Sequence, residues 1–143
     1  MKIAIAGTGY VGLSNAVLLA QRHRVVALDI VPEKVAQLND RQSPIGDAGI
    51  EDYLRTRTLD LHATVDPEEA YRGAEFVVIA TPTDYDPATG VFDTRSVEAV
   101  IQDALRINPQ ATLVIRSTVP VGFTEGARRQ YGTSRLVLSL IHI

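Results

Sequence analysis

A chain of 143 residues, 45% apolar and 22% charged, suffices for one domain burying roughly 68–70% of its unfolded surface and is too short for two. Fourteen basic against seventeen acidic residues give a formal charge of −3 with no basic block, which argues against a nucleic-acid partner. The 143 residues hold no cysteine, which excludes disulfides, thiolate metal sites and a cysteine nucleophile among them.

Strands and helices alternate from the first residue. Lys2–Ala6 reads as a short buried strand, residues 7–12 as a turn, and residues 10–22 as a largely apolar helix packed on a sheet. The first apolar run is too short for a signal peptide and turns at once into glycines. Residues 24–30, rich in Val and Leu, read as a second strand. Pro32 opens a helix that runs to about Asn39. Ser43-Pro44-Ile45-Gly46 is a break, and residues 47–56 form a short helix of low periodicity.

Residues 59–64 read as a weak third strand. Asp66 caps a helix that starts at Pro67, with Glu68 and Glu69 suiting its positive end. Residues 75–80 read as a strand whose apolar run, Phe76–Ala80, is far shorter than a membrane span. A loop with two prolines and two aspartates covers residues 81–90. Asp93 or Thr94 caps a helix to about Ile107, which Asn108-Pro109 ends. Residues 112–116 form a fifth strand, 117–122 a loop, and a short helix reaches about Gln130. Residues 135–138 read as a sixth strand, and residues 136–143 as an apolar tail.

No repeat or low-complexity segment interrupts this order. Continuous apolar strands separated by helices imply a parallel sheet covered on both faces. The expected fold is therefore α/β, a doubly wound parallel sheet of the Rossmann type, with about six strands and helices on both faces. Residues 1–143 are expected to be a single domain, cytoplasmic and without a membrane partner.

Gly7-Thr8-Gly9-Tyr10-Val11-Gly12 matches G-x-G-x-x-G between a strand and a helix, and the next strand ends in Asp29, twenty residues after Gly9. That context, rather than the glycines alone, marks a dinucleotide-binding fingerprint. Gly7 allows the tight turn, Gly9 lets a pyrophosphate approach the backbone, and Gly12 lets helix and strand pack closely. The helix N-terminus offers N–H groups and a positive dipole end. Asp29 would accept ribose hydroxyls and repel a 2′-phosphate, favouring NAD over NADP, with Lys34 near enough to soften that preference. Tyr10 either lines the cofactor cleft or is a core aromatic.

The fourth and fifth strands both end near threonine and proline, in Thr81-Pro82-Thr83 and Ser117-Thr118-Val119-Pro120. Ligands lie beyond the carboxyl ends of such strands, so both loops are expected to face the cofactor. Thr81, Pro82, Thr83, Ser117 and Thr118 are candidates on that ground, against the plainer alternative of ordinary turn chemistry. Asp84, Tyr85 and Asp86 read as a solvated loop rather than an acid–base pair. His23, His62 and His142 lack metal-ligand spacing, so no metal site is expected, and Arg128-Arg129 reads as a solvated helix face.

Gly7 to Ser14, Ala27-Leu28-Asp29-Ile30, Thr81-Pro82-Thr83-Asp84-Tyr85-Asp86 and Ser117-Thr118-Val119-Pro120-Val121-Gly122-Phe123-Thr124 together resemble the bacterial UDP-glucose 6-dehydrogenase family over about residues 1–139. The wider group includes GDP-mannose and UDP-N-acetylmannosamine dehydrogenases, and the Thr-Pro-Thr-Asp-Tyr-Asp stretch points to the UDP-glucose branch. The resemblance implies an oxidoreductase that turns a sugar primary alcohol into a carboxylate with two NAD, feeding sugar acids to polysaccharide synthesis. It implies that Val11, Asp29, Lys34, Thr83 and Thr118 contact NAD, and that Thr118 also lies near the reacting centre and helps hold a water.

After Ser139 the sequence departs from the family, which continues Pro-Glu-Phe-Leu-Arg-Glu-Gly where this chain reads Leu140-Ile141-His142-Ile143. A glutamate is expected where Ile141 stands. The family's dimer helix, its sugar-binding domain and the cysteine that carries a covalent thioester have no counterpart here. The expectation is a truncated NAD-binding portion that binds NAD without turnover, with UDP-glucose a partner only of the full-length family member. The alternatives are a stand-alone NAD-binding sensor or docking module and, for the parent enzyme, a GDP-mannose or UDP-N-acetylmannosamine substrate. A complete small dehydrogenase of another kind lacks an evident general base.

Overall fold

The structure is a computed structural model that describes residues 1–139. The readings placed on residues 140–143, including the end of the apolar tail, the missing glutamate at Ile141 and His142, lie outside the described residues. Six strands make one parallel sheet: β1 (Lys2–Ala6), β2 (Arg24–Leu28), β3 (Leu61–Thr64), β4 (Phe76–Ile79), β7 (Thr112–Ile115) and β8 (Leu136–Leu138). Their spatial order is β3-β2-β1-β4-β7-β8. A separate hairpin pairs β5 (Tyr85–Asp86) with β6 (Val91–Phe92).

The helices are α1 (Tyr10–Leu19), α2 (Pro32–Asn39), α3 (Ala48–Thr56), α4 (Pro67–Tyr71), α5 (Arg95–Ile107) and α6 (Phe123–Tyr131). Side chains along a strand alternate between faces, and here both faces are apolar. Ile3, Ile5, Val25, Ala27, Leu61 and Val78 pack with Leu13 and Val17 of α1, Leu38 of α2, and Ile50 and Leu54 of α3. Ala4, Ala6, Val26, Val77, Ile79, Leu113 and Ile115 pack on the opposite side with Tyr71 of α4, Val97 and Ile101 of α5, and Ala127 of α6. Each large side chain so buried contributes about 1.5–3 kcal/mol. This two-sided cover is why the strands read as unbroken apolar runs.

Helix starts follow side-chain chemistry. Asp47 Oδ1 accepts the Ile50 N–H at 2.9 Å, and Asp66 Oδ1 accepts that of Glu68 at 3.0 Å. Helix α3 also buries Ile50 and Leu54, an i, i+4 pair, so it is more amphipathic than its sequence suggests. At α5 the capping position falls to Thr94, whose side chain makes no cap bond; Asp93 accepts the Arg95 N–H instead, at 3.1 Å.

Several elements are shorter than expected. Helix α1 ends at Leu19, and β2, β4 and β7 stop at Leu28, Ile79 and Ile115. Asp29, Ala80 and Arg116, expected within strands, lie just past them and belong to the loops on the carboxyl side of the sheet. The expected loop over residues 81–90 contains β5 and leads into β6, with the Tyr85 and Phe92 rings 4.9 Å apart. Chain order runs outward from β1 to β3 and then returns to β4 beside β1. The reversal opens a crevice between the loops after β1 and β4. Among the described residues, no helix is long and apolar enough to cross a membrane.

Candidate cofactor site

The three glycines after β1 do different work. Gly7 has φ +103°, and a Cβ on it would stand 2.5 Å from the carbonyl oxygen of Ala80, on the loop after β4. A Cβ on Gly12 would overlap the Gly7 carbonyl. Both positions are closed to side chains by the protein's own backbone. Gly9 is different: a Cβ there would meet nothing within 4 Å. The fold does not require that glycine, whereas a ligand lying against the loop would. Gly9 is the N-cap of α1 and has no side chain with which to cap it. The N–H groups at its first turn and the positive dipole end are therefore available to an anion.

Asp29 stands across the loop. Its Oδ2 accepts the backbone N–H of Thr8 at 3.1 Å and also the Thr8 hydroxyl. Its Oδ1 accepts the Val31 N–H at 3.0 Å. Its own N–H donates to the Thr64 carbonyl at 3.2 Å, which ties it to the end of β3. Lys34 is half-buried in α2, five residues on. Tyr10 is 63% exposed, so it is not a core aromatic. Val11 is half-buried beside it.

The two threonine–proline loops are stitched together. The N–H groups of Arg116 and Ser117 both donate to the Ile79 carbonyl, at 2.8 and 3.1 Å. The buried Ser117 hydroxyl donates to the Thr81 carbonyl at 2.6 Å. Ser96, from α5, donates to the Pro82 carbonyl at 2.7 Å, and its hydroxyl lies 3.1 Å from that of Thr81. The structure thus brings Thr81, Pro82 and Ser117 into one cluster. Thr83 is half-buried and Thr118 exposed, each on the loop that follows its strand.

Thr8 and Ser96 were not singled out by the sequence. The first is an unspecified position inside the glycine motif. The second reads as an ordinary polar residue of a helix's first turn.

Asp84, Tyr85 and Asp86 are exposed on the hairpin. Asp93 is held well below the usual carboxylate range, to about 2, chiefly by hydrogen bonds from the Arg95 side chain and backbone. His62 Nε2 lies 2.6 Å from Glu69 Oε1. Among the described residues no group of three or more His, Cys, Asp or Glu could hold a metal ion. The pair Arg128-Arg129 is more than a solvated face. Arg128 Nε donates to the Leu136 carbonyl at 2.8 Å and straps α6 to β8.

Residues 1–135 match the NAD-binding domain of the UDP-glucose/GDP-mannose dehydrogenase family. A UDP-glucose 6-dehydrogenase of Streptococcus pneumoniae is 50% identical over 139 residues, covering 97% of this chain and 35% of the relative. One from Campylobacter jejuni is 45% identical over 141 residues, covering 97% and 36%. Among solved structures, a GDP-mannose dehydrogenase from Pseudomonas aeruginosa superposes with a TM-score of 0.84 at 26% identity, covering all of this chain and 36% of that one. The chain thus spans about a third of the length of the relatives it matches.

Proposed function

Because the chain belongs to the UDP-glucose/GDP-mannose dehydrogenase family and carries its NAD-binding domain, we propose that residues 1–143 form one cofactor-binding unit of a nucleotide-sugar dehydrogenase. In the full enzyme the reaction is the oxidation of UDP-glucose to UDP-glucuronate with two NAD. The cofactor supplies hydride acceptance. The residues described here bind and orient it.

The observation that carries this reading is the contrast among the glycines. Gly7 and Gly12 are enforced by backbone contacts, while Gly9 faces empty space beside an uncapped helix start. A pyrophosphate suits that space and that positive helix end. Asp29, anchored one residue past β2, is then placed to accept an adenosine ribose hydroxyl. Lys34, five residues after Asp29 on α2, would meet a phosphate, and Tyr10 and Val11 would line the entrance. Thr81, Pro82, Thr83 and Ser117 form the opposite wall. Thr118 supports the reacting end by holding a water. The UDP-glucose branch is favoured by the Thr81-to-Asp86 stretch and by the names of the two bacterial relatives. Dependence on NAD suits a cytoplasmic setting.

Calorimetric titration tests the cofactor reading. Asp29→Ala should weaken NAD binding about tenfold or more, the usual worth of a hydrogen bond to a charged group, and should narrow the gap to NADP. Equal affinity in both proteins would overturn the assignment. With UDP-glucose and NAD the 143-residue chain should not complete the oxidation to UDP-glucuronate, because it contains no cysteine to carry the thioester of the second step. Sustained turnover would overturn the assigned division of labour.

A further inference from the structure

We propose that Thr8 is the residue that makes the chain selective for NAD over NADP, by clamping the Asp29 carboxylate so that it cannot turn aside. The proposal rests on the reading of Asp29 as the ribose acceptor. Thr8 occupies a position for which the glycine motif specifies no residue, yet it is only 1% exposed. Its backbone N–H and its hydroxyl both donate to Asp29 Oδ2, and the Val31 N–H takes Oδ1. An ionised carboxylate offers about four lone-pair sites. Three are filled by the protein, which leaves about one for a ligand hydroxyl.

Charge repulsion alone is a weak filter if the charged group can move. A free Asp side chain can rotate away from a 2′-phosphate and let Lys34 compensate. Here rotation would break charge-assisted bonds and strand a buried hydroxyl, which is costly. The incoming phosphate must therefore meet the carboxylate in place. Thr8 acts through Asp29 and is a positioning residue. Its effect should appear in the ratio of NADP to NAD dissociation constants rather than in either alone.

The experiment measures both constants calorimetrically for the wild-type chain, Thr8→Ala, Thr8→Ser, Asp29→Ala and the Thr8→Ala/Asp29→Ala double variant. The expected result is that Thr8→Ala lowers the ratio about tenfold, the scale of one hydrogen bond to a charged group. Thr8→Ser keeps the hydroxyl and should hold the ratio near wild type. In the Asp29→Ala background, Thr8→Ala should change the ratio no further. Should Thr8→Ala fail to fold, Thr8→Cys keeps the size with a weaker donor and should give an intermediate ratio.

If Thr8→Ala weakens both cofactors equally while Asp29→Ala collapses the ratio, Thr8 is merely structural and the proposal fails, with the ribose reading intact. An unchanged ratio in Thr8→Cys, with Asp29→Ala again collapsing it, has the same meaning. If Asp29→Ala itself leaves the ratio unchanged, the ribose reading fails and takes the clamp with it.

Discussion

The carbonyl oxygen of Ala80 lies 2.5 Å from where a Cβ on Gly7 would stand. These residues follow β1 and β4, the neighbours at which strand order reverses. The Ala80 N–H also donates to the Ala6 carbonyl at 2.8 Å. The floor of the crevice is therefore backbone against backbone, with no room for a side chain. A ligand there would rest on a surface that the sheet itself holds rigid.

That contact separates the glycines experimentally. Gly7→Ala combines a positive φ with a clash against a carbonyl and should cost about 2–5 kcal/mol. Gly9→Ala sits at an ordinary extended φ of −78° and meets nothing, so its stability should stay within about 0.5 kcal/mol of wild type. Its NAD affinity should nevertheless fall. Denaturant midpoints and NAD titrations of the two variants check this. A destabilised Gly9→Ala that still binds NAD normally would show the glycine to be structural.

The opposite wall depends on two serines. Ser117→Ala leaves the half-buried Thr81 carbonyl without its 2.6 Å donor, a loss of about 1–3 kcal/mol. Ser96→Ala removes the bond to the Pro82 carbonyl at a half-buried site and should cost about 1 kcal/mol. Both should weaken NAD binding because the loop they hold becomes mobile. Faster amide exchange at Thr81 and Thr83, with β1 unchanged, is the measurement. Unchanged exchange would mean that Pro82 alone holds the loop.

What could be read from the sequence follows from these contacts. The strands were legible because both sheet faces are covered, which forces continuous apolar runs such as residues 76–79. The fingerprint was legible because Gly7, Gly9, Gly12 and Asp29 stand at fixed spacing. Strand ends were read too long because Asp29, Ala80 and Arg116 still donate their N–H groups to the carbonyls of Thr64, Ala6 and Ile79 at the ends of neighbouring strands, although the strands stop before them. The hairpin was missed because each strand has only two residues and none of the four is buried, so no apolar alternation marks it. Thr8, Ser96 and Arg128 were beyond reach for a common reason. Each acts through a contact to a residue distant in sequence, or to a backbone carbonyl, and neither leaves a periodic trace.

Arg128 shows the point at the sheet edge. Strand β8 has three residues and, among the described residues, pairs with β7 alone. The Arg128 bond to the Leu136 carbonyl adds a charged donor to that short ladder, worth about 1.5–3 kcal/mol. Arg128→Met keeps the apolar stem and removes the donor. Hydrogen exchange at Val137 and Leu138 should speed up while that of Val25 and Val26 in β2 stays the same. Uniform acceleration throughout the sheet would show that the strap supports the whole fold rather than its edge.

Tyr71 gives a prediction at alkaline pH. Its side chain is 1% exposed, in α4 against Ala74, Val97 and Ile101. Burial first, and the charge of Asp103 second, push its hydroxyl pKa up from the ordinary 10.0. The folded protein therefore keeps the phenol proton at a pH where the unfolded chain releases it. The associated stability is fully present below pH 10 and declines above it, by up to about 1.4 kcal/mol per pH unit. Tyr71→Phe cannot ionise and should show a flatter alkaline limb in denaturant midpoints taken between pH 9 and 11.5, at about the same neutral-pH stability. Asp103→Asn should flatten the limb only in part, because burial is the larger cause. Parallel limbs in wild type and Tyr71→Phe would show that the hydroxyl ionises in the folded state as readily as in the unfolded one.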